Sequence, residues 1–126
     1  MKKSKIGTVV WTDLTVPDAA EIRDFYSQVL GWKTTEFDGD FNVHPPHSDE
    51  VITGICYKRG SNENIPSQWL NYIAVESVEE TAKKCIEVGG SVLDGPRLMG
   101  GSMFAVLQDP AGAVFALYEV TVDDAE

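Results

Sequence analysis

The same strand-then-helix pattern occurs twice in this chain at a constant spacing. The matched positions are the last residue of a predicted strand, a helix N-cap, an acid three residues later and a glycine beyond the helix. They pair as Val16 with Val75, Asp18 with Ser77, Glu21 with Glu80 and Gly31 with Gly90, each 59 residues apart. A repeat in this register indicates one module used twice, so both copies should share a topology.

The first copy begins with residues 6–16, a β-branched stretch that predicts a strand. Residues 18–31 then predict an amphipathic helix, with a capping box formed by Asp18 and Glu21. Its expected apolar stripe consists of Ile22, Phe25, Tyr26, Val29 and Leu30. Strand-like stretches follow at 32–37, 40–45 and 51–59.

The second copy repeats this order. A predicted strand at 69–75 leads into a helix capped by Ser77 and Glu80, whose apolar face consists of Val78, Ala82, Cys85 and Ile86. Strands are expected at 91–95, 102–108 and 113–120. The pattern is therefore βαβββ twice, in a single domain over 1–126: module one at about 5–60, a linker at 61–67, module two at 68–120 and an acidic tail at 121–126.

Charge and cysteine content narrow the function classes. A net charge of −10 argues against nucleic acid and anionic membranes as partners, because both require clustered Lys and Arg. Two cysteines in 126 residues do not make a disulfide scaffold, which favours a reducing, cytoplasmic location. No apolar run is long enough to predict a membrane helix or a secretory leader.

Three segments carry a resemblance to a known family: VVWTDLTVPDAAEIRDFYSQVLGW at 9–32, WLNYIAVESVEETAKKCIEVGG at 69–90 and FAVLQDPAGAVFALYE at 104–119. They resemble the vicinal oxygen chelate superfamily of glyoxalases, bleomycin-resistance proteins and extradiol dioxygenases. The DPAG turn leading into an apolar strand that ends in Glu is the most specific piece.

The resemblance implies an α+β fold in which two βαβββ modules form a curled mixed sheet around a cavity, with the helices outside. It also implies a homodimer. In metal-dependent members the cavity holds a divalent ion, bound by residues near the start of each module's first strand and by a Glu on the last strand, which Glu119 resembles.

Strand alternation assigns faces, because successive side chains point to opposite sides. If Leu14 and Val16 pack on the first helix, Trp11 and Asp13 point to the cavity. By the same parity, Ile73 and Val75 pack on the second helix and leave Leu70, Tyr72 and Ala74 toward the cavity. Glu119 shares a face with Phe115 and Leu117, and we expect that face to line the cavity.

The metal site of the family looks incomplete here. Trp11 and Leu70 occupy the positions of its first-strand ligands, and neither can bind a divalent cation. No metal cofactor is therefore expected. An alternative site would combine Glu119 with Asp13 and His44, although His44 and His47 are expected to be exposed loop imidazoles.

The cavity is nevertheless expected to bind a small organic molecule, because aromatic side chains with a few polar groups suit such ligands. The expected ligand-binding residues are Trp11, Asp13, Tyr72, Phe104, Phe115 and Arg97. Arg97 belongs to the segment 96–103, which is either a loop hinged at Gly100-Gly101 or an ordinary hairpin connection. Without a metal, Glu119 could hydrogen-bond internally, anchor a ligand or act as a general base.

Three functional hypotheses follow. The first is a metal-free protein that binds a small, partly aromatic molecule, as in resistance by sequestration. The alternative is a metal-dependent lyase, isomerase or dioxygenase of glyoxalase type that uses Glu119 with a rearranged ligand set. The third is a dimerising accessory module whose cavity is filled by its own side chains.

Overall fold

Two βαβββ modules make up the part of the chain that the computed structural model describes, residues 5–121. The first contains β1 Val9–Val16, α1 Ala19–Leu30, β2 Lys33–Phe37, β3 Asp40–His44 and β4 Thr53–Tyr57. The second contains β5 Trp69–Val75, α2 Val78–Glu87, β6 Ser91–Met99, β7 Ser102–Gln108 and β8 Val114–Glu119. The fold class is α+β, as predicted, and both the ends of β1 and β5 and the starts of α1 and α2 keep the 59-residue offset.

Contacts within the chain divide it at Trp11/Thr12 and at Trp69/Leu70. We therefore call Thr12–Trp69 module one, and we call Leu70 onward together with residues 5–11 module two. By this division the first three residues of β1 count with module two, and Trp69, the first residue of β5, counts with module one. Module one also contains a short 3-10 helix at Gly60–Asn62, after β4. The predicted acidic tail lies, apart from residue 121, outside the described residues.

Module one has the strand order β2-β3-β4-β1, in which β1 and β4 are parallel and the other pairs antiparallel. As predicted, Leu14 and Val16 face α1. They form a buried core with four further residues, Ala19, Phe41, Val43 and Ile55. Beside this core, the Trp69 indole N–H donates a hydrogen bond of 2.9 Å to the Tyr26 hydroxyl, and Trp32 stacks on the Tyr26 ring.

Module two has the matching order β6-β7-β8-β5, again with its first and last strands parallel. Gly7 and Thr8 add backbone hydrogen bonds to Ala74 in β5. Between α2 and this sheet lies a second core, consisting of Val78, Ala82, Ala105, Leu107 and Leu117. Each module therefore buries the apolar face of one helix against its own four strands.

Of the two predicted N-cap side chains, Ser77 forms its capping hydrogen bond and Asp18 does not. The Ser77 hydroxyl accepts a hydrogen bond from the Glu80 N–H, and Gly31 ends α1 with φ 73° while its N–H donates to the Ser27 carbonyl. Asp18 occupies the N-cap position of α1, but its side chain makes no capping hydrogen bond within the described chain. The box predicted with Glu21 is therefore wrong. Neither helix of residues 5–121 has the length and apolarity to span a membrane.

The apolar stripe of α1 is narrower than predicted. Ile22 and Tyr26 pack against the core, whereas Phe25, Val29 and Leu30 are exposed. Phe25 lies about 100° around the helix from Tyr26, which turns it away from the sheet. In α2, Ile86 is likewise exposed although it was expected on the apolar face.

Strand β6 is longer than expected and irregular. It extends through Met99, and its pairing with β7 shifts between Val92 and Asp94 and again between Asp94 and Arg97. Gly100 and Gly101, with φ 60° and 88°, form the two-residue turn to β7. Two consecutive residues of positive φ are typical of a tight β-hairpin turn, so the hairpin alternative for this segment is correct.

Candidate functional site

The face of the module-two sheet that points away from α2 carries three of the six predicted ligand-binding residues, and we call it the far face. Residues paired across neighbouring strands share a face, so the β5–β8 and β7–β8 registers define its members. They are Tyr72, Ala74, Phe104, Val106, Ala116 and Tyr118. The opposite set, which includes Leu107 and Leu117, packs on α2.

Tyr72, Phe104 and Arg97 form a column of stacked side chains on the far face. The Tyr72 and Phe104 rings stack with centroids 5.9 Å apart and an interplanar angle of 26°, and the Arg97 guanidinium lies 4.9 Å from the Phe104 centroid. Tyr72 pairs with Ala116, whose small side chain lets the phenol reach across β8 to β7. Both rings are buried. The structure thus brings three of the predicted ligand-binding residues together, and their role in ligand binding stays a prediction.

Asp94 fixes the guanidinium of Arg97. The Arg97 Nε and Nη2 atoms each donate a hydrogen bond of 2.9 Å to a different oxygen of the Asp94 carboxylate. This bidentate pair raises the pKa of Arg97 above its usual value, against the lowering effect of burial. The Asp94 side chain is only 8% exposed and that of Arg97 24%, so the ion pair is largely shielded from solvent.

Sequence reasoning missed Asp94 because residues three apart in a regular strand point to opposite sides. The register shift between them lets Asp94 pair with Val106 and Arg97 with Phe104, which share the far face. The sequence feature that could have revealed this irregularity is Gly95-Pro96, because Gly and Pro inside a strand indicate a bulge. Gly95 has φ 85°, and a Cβ there would lie 2.7 Å from the Phe104 carbonyl oxygen.

Trp11 and Asp13, both expected beside the ligand, fall in different modules. Trp11 is exposed and belongs to module two. Asp13 lies in module one, where it pairs with Gly54 on the side opposite Leu14.

Burial raises the pKa of the nearby Cys56 thiol to about 12, and the charges of Asp13 and Asp40 add to the shift. Such a thiol is a poor nucleophile at neutral pH.

Glu119 does not lie on the far face. It pairs with Val75 and therefore shares the side that packs on α2, and its Oε1 accepts a hydrogen bond of 2.9 Å from the Val78 N–H. Val78 is the first residue of α2, so Glu119 satisfies a backbone donor that the helix itself leaves unpaired. The expected orientation of Glu119 toward a cavity is thus wrong: the face it shares with Phe115 and Leu117 is the helix face.

Phe115, like Glu119, lies on the sheet face that packs on α2, so its predicted position beside the ligand is wrong. It packs beside the core of α2 and lines an apolar groove of about 290 Å³ between α2 and the β7–β8 turn. Cys85, Val88, Leu107 and Pro110 also line this groove. Phe115 is therefore a neighbour of the helix and not of the Tyr72–Phe104–Arg97 column.

His44 is buried at the end of β3, contrary to the expectation of an exposed loop imidazole. Its Nδ1 lies 3.0 Å from the Asp49 carbonyl oxygen and its Nε2 lies 2.9 Å from the Thr35 hydroxyl. Because a carbonyl only accepts, Nδ1 carries a hydrogen, and Nε2 shares its hydrogen bond with the Thr35 hydroxyl, which can donate or accept. Both ring nitrogens are engaged. His47 is exposed, as predicted.

The residues present do not fit the divalent metal that the family resemblance raised. Within residues 5–121, no three His, Cys, Asp or Glu side chains are grouped so that they could hold an ion. Glu119 is directed at the start of α2 and His44 uses both nitrogens inside module one. A transition metal needs about three or four protein ligands, and the described residues offer no such group.

Comparison with known proteins agrees with the two-module fold. The sequence profile of the Glyoxalase/Bleomycin resistance protein/Dioxygenase superfamily matches residues 6–117. The chain belongs to this superfamily. A solved superfamily member from Vibrio splendidus 12B01 superposes with a TM-score of 0.53 at 14% identity, over 87% of this chain and 97% of the other. Methylmalonyl-CoA epimerase from Mycobacterium tuberculosis gives 0.52 at 13% identity, over 96% and 93%. At these identities the structures show a shared fold only.

One curated superfamily relative is the anthracycline biosynthesis protein DnrV of Streptomyces peucetius, which is 29% identical over 128 aligned positions. The match covers 89% of this chain and 46% of the relative. The chain thus spans about half the length of the curated relatives it matches. What those longer proteins do as wholes is not transferred with the fold.

Proposed function

We propose that this chain binds a small organic molecule on the far face of module two, without a divalent metal. The observation that carries the proposal is the Tyr72–Phe104–Arg97 column, in which two stacked, buried rings lie behind the Arg97 guanidinium on one face. Aromatic walls with a few oriented polar groups are typical of small-molecule sites. Membership of a superfamily that includes bleomycin-resistance proteins, and similarity to an anthracycline biosynthesis protein, support a small-molecule ligand.

The test is a ligand screen on ¹⁵N-labelled protein. A library of aromatic, aliphatic, sugar and nucleotide compounds is added, and we expect aromatic members to shift the amide signals of Tyr72, Phe104 and their neighbours. Phe104→Leu should weaken that binding by about threefold to tenfold, because it removes the ring but keeps an apolar side chain.

Phe41→Leu is the matched control for this variant. Phe41 is also buried and also lies under a guanidinium, that of Arg23 at 4.7 Å, but it packs in the core beneath α1. Equal weakening in both variants would point to a general loss of stability. A library in which no compound shifts the far face would overturn the proposed function.

We also propose that the chain forms a homodimer, as the family resemblance implies. Support comes from α1, where Phe25 and Val29, one turn apart, are exposed, as is Leu30 at the end of the helix. Exposed apolar patches of this kind are typical of protein interfaces.

A further inference from the structure

The sequence Asp-Gly occurs twice in the chain, at Asp38-Gly39 and at Asp94-Gly95. In this dipeptide the backbone nitrogen of the glycine can attack Cγ of the aspartate, because glycine has no Cβ to hinder the approach. An N–Cγ bond forms and a Cγ–O bond breaks, and the hydroxyl leaves as water with the hydrogen of the nitrogen. Water then adds to one of the two carbonyl carbons of the resulting succinimide ring and opens it. The product is either aspartate or isoaspartate, whose main chain runs through Cβ and Cγ.

Asp38-Gly39 forms the two-residue turn between β2 and β3. Phe37 pairs with Asp40, and the residues between them have φ 55° and 87°, as in a type I′ hairpin turn. Asp38 is exposed, and its carboxylate makes no hydrogen bond or ion pair within residues 5–121. The Gly39 carbonyl oxygen accepts a long hydrogen bond of 3.4 Å from Arg59 Nη2. Positive φ is also unfavourable for a residue with a Cβ, so little free energy opposes a rearrangement of Asp38.

Asp94-Gly95 lies inside β6, where both of its residues are held. The Asp94 oxygens accept hydrogen bonds of 2.9 Å from Nε and Nη2 of Arg97, and the side chain is only 8% exposed. The backbone of Gly95 packs so closely on β7 that a Cβ there would lie 2.7 Å from the Phe104 carbonyl oxygen. Ring closure must bring Cγ to the glycine nitrogen, so the Asp94 carboxyl has to leave Arg97 first. Hydrogen bonds between charged groups are among the strongest in proteins, which makes that step unfavourable.

We propose that Asp38-Gly39 is a site of spontaneous isoaspartate formation in the folded protein, and that the pairing of Arg97 with Asp94 protects Asp94-Gly95 from the same reaction. The two dipeptides have identical reacting groups and differ in how the fold holds them. Isoaspartate at position 38 adds one carbon to the main chain of a two-residue turn. Because turn type and loop length set the register of a hairpin, the modified turn should loosen the pairing of β2, which is the end strand of module one.

The test compares the two dipeptides in one sample of native protein, kept at neutral pH and physiological temperature for several weeks. Trypsin cleaves after Lys and Arg, so Asp38 falls in peptide 34–58 and Asp94 in peptide 85–97. Electron-transfer mass spectrometry distinguishes isoaspartate from aspartate in each peptide. We expect isoaspartate to form at least about tenfold faster at Asp38, because Asp94 must first break two charge-assisted hydrogen bonds. Protein unfolded in guanidinium chloride is the control, and there both sites should react at similar rates.

Arg97→Ala tests the protection directly. In folded protein this variant should raise the rate at Asp94 by about tenfold and leave the rate at Asp38 unchanged. Arg23→Ala is the matched control, because Arg23 also pairs with an acid at 2.9 Å, but that acid, Asp24, is not followed by glycine. It should change neither rate. Thermal unfolding verifies that both variants fold.

Arg97→Lys is a second, milder variant, which keeps the charge but cannot donate to both Asp94 oxygens in the same fork, and it should raise the rate at Asp94 by less. Equal rates at the two sites of the native protein, a faster rate at Asp94, or no isoaspartate at Asp38 would each overturn the proposal. A folded Arg97→Ala protein with an unchanged rate at Asp94 would overturn the protecting role of Arg97.

Discussion

One hydrogen bond assigns Glu119 a structural role in place of the ligand role expected from the sequence. It looked like the carboxylate of a metal site, yet its oxygen accepts the first N–H of α2, where Ser77 accepts the Glu80 N–H. Two side chains thus satisfy two of the donors that every helix start leaves unpaired. The acid that ends β8 links that strand to the helix packed on the same sheet.

This position predicts a stability effect that distinguishes acceptor from charge. Glu119→Ala should lower the free energy of unfolding by about 1 kcal/mol, because the Val78 N–H loses its acceptor. Glu119→Gln keeps a carbonyl oxygen and should retain most of that stability. Denaturant titration measures both. Glu76→Ala, at an exposed acid just before the N-cap, is the control, and equal losses at both sites would contradict the capping role.

At the scale of elements, the sequence predicted the modules but not all of their faces. The 59-residue offset, the strand and helix order, and the burial of Leu14 and Val16 were read correctly because they depend on local periodicity. The face of Glu119 depends on its pairing with Val75, a contact between strands separated by a helix and two further strands. Such register is a tertiary property that alternation within one strand cannot supply.

Asp94 was not predicted for a different reason, which is that the alternation of faces is interrupted within strand β6. Alternation assumes a regular pleat, and the irregularity around Gly95 puts Asp94 and Arg97 on one face. His44 was missed because its burial comes from the carbonyls of the following loop and from Thr35 on the neighbouring strand. The residue types at 45–50 do not indicate that this loop places its backbone carbonyls against the His44 ring.

Two glycines of one hairpin provide a test of the bulge. Gly95→Ala and Gly100→Ala both place a side chain at positive φ, which costs about 1 kcal/mol. At Gly95 the new Cβ would also approach the Phe104 carbonyl to 2.7 Å, whereas nothing lies within 4 Å of it at Gly100. Gly95→Ala should therefore lose about 1 to 3 kcal/mol more in thermal or denaturant unfolding.

The same pair of variants reports on the site. Because Gly95 lies between Asp94 and Arg97, its substitution should also change the NMR signal of the Arg97 Nε–H group, which Gly100→Ala should leave in place. Similar stability and similar spectra for the two variants would mean that the bulge does not hold the ion pair.

For the whole molecule, subunit number and metal content can be read in one experiment. Native mass spectrometry of untagged protein should give the mass of a dimer, and no stoichiometric divalent ion after incubation with Zn²⁺, Ni²⁺, Mn²⁺ or Fe²⁺. The second expectation follows from the engagement of Glu119 and His44 elsewhere. One ion per chain that Glu119→Gln removes would instead favour the glyoxalase-type enzyme, and a monomer would contradict the proposed dimer.

The indole groups are distributed unequally between the modules. Trp32 and Trp69 meet nearly edge to face, with centroids 5.8 Å apart and an angle of 83°, and both belong to module one, whereas Trp11 belongs to module two. Chromophores this close couple their electronic transitions, so we expect Trp32 and Trp69 to give most of the tryptophan signal in the near-ultraviolet circular dichroism of the native protein. The chain therefore carries an intrinsic optical marker for one half of its repeat, with no label attached.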